Sequence, residues 1–113
     1  MSVVLDFDDP RIQTLPETIK QAMMQVLTEC LDEAVNYAKA LAPVQTGALR
    51  TSVRREGLSF KAGDGGVVNP RTGREVDYAV FVELKYPFMK ASWAMASADI
   101  EQRIRDRILE MLK

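Results

Sequence analysis

The sequence predicts an α+β fold in which a long amino-terminal helix and a carboxy-terminal helix pack on one face of a small antiparallel β-sheet. Three observations predict it. Apolar residues recur at helical spacing from Thr14 to Leu41, and again from Phe88 or Lys90 to Leu112. Between these stretches lie short β-prone runs punctuated by glycine and proline. A chain of 113 residues holds a modest core and not two, so residues 1–113 are expected to form a single domain.

The elements follow in order. Val3, Val4, Leu5 and Phe7 suit a brief strand before the turn at Asp8-Asp9-Pro10. The long helix carries Ile19, Met23, Val26, Leu27, Cys30, Ala34, Tyr37, Ala38 and Leu41 on one face, with Lys20, Gln25, Glu29, Asp32, Glu33 and Asn36 among the polar residues opposite. Thr14 and Glu17 have the spacing of a capping box, with Pro16 in the first turn. Pro43 ends the helix, because its ring disfavours helical geometry at Ala42. At ~1.5 Å per residue such a helix is about 40 Å long, enough for part of its apolar face to serve a partner.

Thr46-Gly47 reads as a turn opening a short helical segment, with Leu49 and Val53 inward. Val53–Phe60 reads as a strand, Gly63, Gly65 and Gly66 as a hairpin bend, and Val67-Val68 as the start of the return. After a second turn at Asn69–Gly73, the run Tyr78–Leu84 is the strongest strand signal and is expected to lie centrally. Pro87 breaks it. The last helix then turns Met89, Trp93, Ala96, Ile100, Ile104, Ile108 and Met111 inward.

Composition excludes much chemistry. No stretch approaches the ~20 apolar residues of a membrane span, and the acidic start MSVVLDFDD is unlike a signal peptide, so a cytoplasmic chain with no membrane partner is expected. There is no histidine, which removes the usual general base and the commonest nitrogen ligand for zinc. Asp6, Asp8 and Asp9 lack the glycine turn and distal carboxylate of a calcium loop, and Gly63-Asp64-Gly65-Gly66 lacks the lysine of a phosphate-binding loop. No catalytic residue, metal or cofactor is expected, and the single cysteine, Cys30, reads as a core residue.

The net charge of −1 conceals a basic middle: Arg50, Arg54, Arg55, Lys61, Arg71 and Arg74 against Glu56 and Asp64. Such a segment could meet phosphate or an acidic neighbouring subunit, or be a solvated loop with scattered arginines. Glu83, in the apolar run, is expected to pair with one of Arg50, Arg54 or Arg55 at a buried or interfacial site. The segment from Lys61 to Asp77, rich in glycine and poor in apolar side chains, is expected to order only on assembly, with the Asp32/Glu33 face of another subunit as its acidic partner.

The order of these features resembles the tail-component family of long-tailed double-stranded-DNA bacteriophages. The matching residues are Ala42, Pro43, Thr46, Gly47, Leu49, Ser52 and Val53, then Tyr78, Ala79, Val82 and Glu83, then Pro87 and Phe88. One departure is clear: the family usually follows its glutamate with Gly-Thr and a longer loop, whereas this chain has Leu84-Lys85-Tyr86. The resemblance implies a structural, non-enzymatic virion protein, assembled in the bacterial host cytoplasm, that joins or completes the tail at the head–tail interface. It also implies a homo-oligomeric ring around the DNA channel and contacts with other head–tail connector or tail proteins. The motif residues would then be structural, and Arg50, Arg54, Arg55, Arg71 and Arg74 would be assembly contacts. The rival readings are a small RNA-cleaving toxin, disfavoured by the overall charge, and a dimeric adaptor whose long helix is the interface.

Overall fold

A computed structural model describes residues 3–7, 10–42, 48–63 and 79–113. The long helix, α1, spans Glu17–Leu41. It starts later than the capping-box spacing predicts. Thr14 donates its hydroxyl to the Arg11 carbonyl at 2.8 Å, closing a 3-10 turn over Pro10–Thr14. The hydroxyl is therefore not available to cap, and Pro16, in extended geometry (φ −52°, ψ 145°), precedes the first helical residue with no side-chain cap. The helix ends as expected: Ala42 is extended (φ −61°, ψ 134°), the geometry a following proline imposes.

The buried face of α1 is Ala22, Val26, Leu27, Cys30, Leu31, Ala34 and Ala38. It is rotated from the predicted stripe, leaving Ile19 and Met23 half-buried and Tyr37 and Leu41 exposed. The small side chains Ala34 and Ala38 sit at the centre of the core, where a neighbouring backbone can come close.

The short helix α2 (Ala48–Ser52) leads into strands β2 (Arg54–Glu56) and β3 (Ser59–Ala62). The single strand expected over Val53–Phe60 is thus two, folded back at Gly57, whose φ of 59° lies in the left-handed region that glycine tolerates. With β1 (Val3–Asp6) they form an antiparallel sheet of order β1-β3-β2, in which Leu5 and Arg55 both face Phe60 across the ladder. Phe60 and Ala62 point into the core beside Leu31, Leu49 and Val53. Lys61 and Ala62 belong to β3; the expected bend at Gly65 and Gly66, the return at Val67-Val68, the turn at Asn69–Gly73, and residues 64–77 in general lie outside the described residues.

The largest correction concerns the run predicted as a central strand. Ala79–Lys85 is a helix, α3. Helical spacing puts the buried Ala79 and the partly buried Val82, three positions apart, on one side against the core. It also brings Glu83 over the start of the next helix, while Leu84 is 78% exposed. Tertiary packing here overrides the β-propensity of a Val- and Phe-rich run.

The single final helix is also divided, into α4 (Phe88–Ala96) and α5 (Ile100–Met111). Neither proline nor glycine marks the break. Ser97 donates its hydroxyl back to the Trp93 carbonyl at 2.6 Å, a contact that bends helices, and the chain turns through Ser97–Asp99. Both pieces pack along α1. The predicted inward stripe holds for Met89 and Ala96, which are buried, but α5 has no buried residue and its isoleucines are only half covered. The result is a small antiparallel sheet packed against long helices, an α+β fold with overall extents of 54 × 23 × 20 Å. Among the described residues, no helix is long and apolar enough to cross a membrane.

Candidate functional site

The residues singled out by motif occupy two junctions. At the first, Leu49 and Ser52 on α2 are buried. The Ser52 hydroxyl donates to the Leu49 carbonyl at 2.6 Å and accepts the Gly63 amide at 2.9 Å, tying the end of α2 to the end of β3. Arg54 reinforces the junction, donating from Nη1 to the carbonyls of Ser52 (2.8 Å) and Gly63 (2.7 Å) and from Nε to Glu56 (2.8 Å). Lys61 Nζ approaches the other Glu56 oxygen at 2.7 Å. These hydrogen bonds, Arg54 first, hold the Glu56 carboxyl down to about 2.

At the second junction, the Glu83 carboxylate accepts the backbone amides of Met89 (2.9 Å) and Lys90 (3.2 Å). It thereby occupies the place of an N-cap for α4, which Pro87 cannot fill with a side chain. The arginine partner expected for Glu83 is not the one found. Phe88 and Ala79 are buried beside it and Pro87 is exposed. The spacing of Glu83, Pro87 and Phe88 therefore has a physical reading: an acid one turn before a proline reaches the amides just after it.

Of the arginines expected at assembly contacts, Arg54 and Arg55 are committed within the chain. Arg55 donates from Nε to Asp32 at 2.6 Å, which fastens β2 to α1 and occupies part of the acidic face assigned to a neighbour. Arg50 is exposed on α2. Pro43, Thr46, Gly47, Arg71, Arg74 and Tyr78 lie outside the described residues.

A third cluster was missed by sequence reasoning. On α1, Gln25, Glu29 and Glu33 form a ladder four residues apart; on α5, Arg103 and Arg107 form another. Arg103 Nη1 donates to Glu33 at 2.7 Å and lies 3.3 Å from the Cys30 sulfur. Arg107 donates to Gln25 at 2.8 Å and to Glu29 Oε1 at 2.9 Å. Glu29 Oε2 is also 2.7 Å from Arg107 Nη2, but off the hydrogen-bonding direction, so that oxygen has an ion-pair contact and no hydrogen bond. The Glu33 hydrogen bond raises the Arg103 pKa, and burial raises that of the Cys30 thiol against the opposing pull of Arg103. Matching four-residue periods of opposite charge on two helices were the available signal.

Chemically, these three sites bind the chain to itself. Among the described residues, no three His, Cys, Asp or Glu side chains converge to hold a metal ion. The shallow concavity beside Arg107, lined by Met24, Gln25, Thr28 and Glu29, is an open surface feature.

Comparison with known proteins adds a family. The family model described as "Bacteriophage HK97-gp10, putative tail-component" matches residues 9–84, from the turn before α1 to the Glu83 junction. No curated protein and no solved structure matches the chain. The match covers well over half of the sequence and includes the motif residues from Pro43 to Glu83, and the chain belongs to the HK97-gp10-like family of bacteriophage tail components.

Proposed function

We propose that this chain is a non-enzymatic structural protein of the virion that joins or completes the tail at the head–tail interface, assembling in the host cytoplasm as a ring of identical subunits around the DNA channel. The observation that carries the reading is the family match over residues 9–84. The structure supports it in two ways. The described motif residues Leu49, Ser52, Ala79, Glu83 and Phe88 are spent on burial and on hydrogen bonds within the fold, as a scaffold requires. Large apolar side chains, among them Tyr37, Leu41, Leu84, Tyr86, Met95 and Leu109, remain on the surface of an elongated body, where packed neighbours can cover them.

The RNA-cleaving alternative loses ground, since Arg54 and Arg55 are held by Glu56 and Asp32. Mass measurement in solution combined with electron microscopy of the purified protein tests the ring. Closed rings of one size are the expected result. A sample that stays monomeric up to high concentration and shows no rings removes the reading.

A further inference from the structure

We infer that α5 is an exchangeable arm, which leaves the α1 of its own chain and docks on the α1 of a second copy through the same Arg103 and Arg107 contacts. The inference rests on the subunit association proposed above and names the surface that makes it.

Four observations carry it. The continuous core runs from Leu31 to Ala96 and takes no residue from α5. That helix has no buried residue at all, so releasing it leaves the sheet, α4 and the carboxy-terminal half of α1 packed as before. Its covalent link to this body is the turn Ser97–Asp99, where no residue is buried. Its polar attachment is by charge, Arg103 to Glu33 and Arg107 to Glu29, with side chains about a quarter to a half exposed.

The occupant of the vacated surface follows from shape and charge. Release of α5 opens the side of α1 that carries Cys30 between Glu29 and Glu33. A partner must offer half-buried apolar side chains in register with cations four residues apart. Ile100, Ile104 and Ile108 with Arg103 and Arg107 do this, and every further copy of the chain carries them. Exchange between copies recreates each contact of the closed subunit, so it costs little beyond association itself. If each copy passes its arm to the next, the contact is head-to-tail, and it forms a ring where the rotation between successive copies closes.

Charge reversal in separate chains tests this with the full-length protein. Glu33→Arg places two arginines together in its own chain, and Arg103→Glu places two glutamates together. Neither can close on itself or on its own kind without a like-charge contact, whereas an exchanged assembly alternating the two restores every pair. The expected result is an assembly holding the two variants in equal numbers, with either variant alone associating at least about tenfold more weakly than the wild type. The double variant Glu33→Arg/Arg103→Glu, which restores the pair within one chain, should associate like the wild type and serves as the folding control. A mixture that behaves as the sum of its separate components overturns the inference. If the wild type nevertheless assembles, and the single variants with it, the ring stands and its contact lies elsewhere. If nothing assembles, wild type included, both readings fall.

Discussion

Replacing Glu83 by alanine separates the helix-capping role seen in the structure from the buried ion pair that sequence suggests. The carboxylate accepts two amides at the start of α4, at 2.9 and 3.2 Å, and no arginine is needed to satisfy it. Loss of a capping side chain costs about 0.5–2 kcal/mol, and loss of the negative charge at a helix amino-terminus about 0.3–1 kcal/mol. These overlap, so Glu83→Ala should destabilise by about 1–2 kcal/mol. For a domain of this size that lowers Tm by about 5–10 °C. Glu83→Gln keeps the acceptor oxygen and loses only the charge, so its shift should be less than half as large. Thermal unfolding followed by circular dichroism and by the fluorescence of Trp93, the only tryptophan and one turn into α4, reads both variants. A change of about 3 kcal/mol or more, equal in the two variants, would show a buried ion pair and refute the capping account. So would an unchanged Tm in Glu83→Ala.

The remaining predictions concern other junctions. Gly57→Ala should cost about 1–2 kcal/mol purely through its left-handed backbone, since an added Cβ meets nothing within 4 Å, and Gly57→Asn should cost less; equal losses by denaturant melts would contradict this. The Glu56 carboxyl is held below its ordinary value, so the stability it lends is present above pH about 4.5 and lost as pH falls through about 2. The difference between wild type and Glu56→Gln should therefore shrink steadily across that window, and a gap that widens on acidification would be inconsistent with it. Cys30, fully buried beneath Arg103, should resist a thiol reagent in the native protein, and Arg103→Ala should speed its labelling about tenfold or more by loosening α5. Arg105→Ala, whose partner Glu101 is in solvent, should leave the labelling rate unchanged.

What was legible in the sequence follows the range of the forces involved. The long helix and its stop at Pro43 were readable because periodicity and proline geometry act locally. The two-strand hairpin was missed because Gly57 looked like one glycine within a strand. The helix Ala79–Lys85 was misread because local β-propensity was weighed without the tertiary contact of Glu83 with the amides of α4. The break at Ser97 carries only a serine hydroxyl turned back on its own helix, a signal too common to weigh alone. At the candidate site, the contacts that Ser52 and Glu83 make within the fold were not legible. Ser52 and Glu83 serve backbone amides, and an amide leaves no trace in the residue alphabet.

The strand order has a consequence for how the chain acquires its structure. β1 is made before its partner β3, and Asp6 meets Ser59 across 53 positions of sequence. Closing a loop of that length costs about 3–4 kcal/mol of chain entropy before the ladder can repay it. During synthesis the amino-terminal strand must therefore wait until α1, α2 and the hairpin have emerged, while α1 can form as it leaves the ribosome. Until β1 arrives, that flank of β3 presents an unpaired row of amides and carbonyls, a template for mispairing with another nascent chain. In refolding followed by pulsed hydrogen exchange, protection of Val4–Asp6 should appear after that of Val26–Ala38; simultaneous protection would mean that the ladder nucleates the fold.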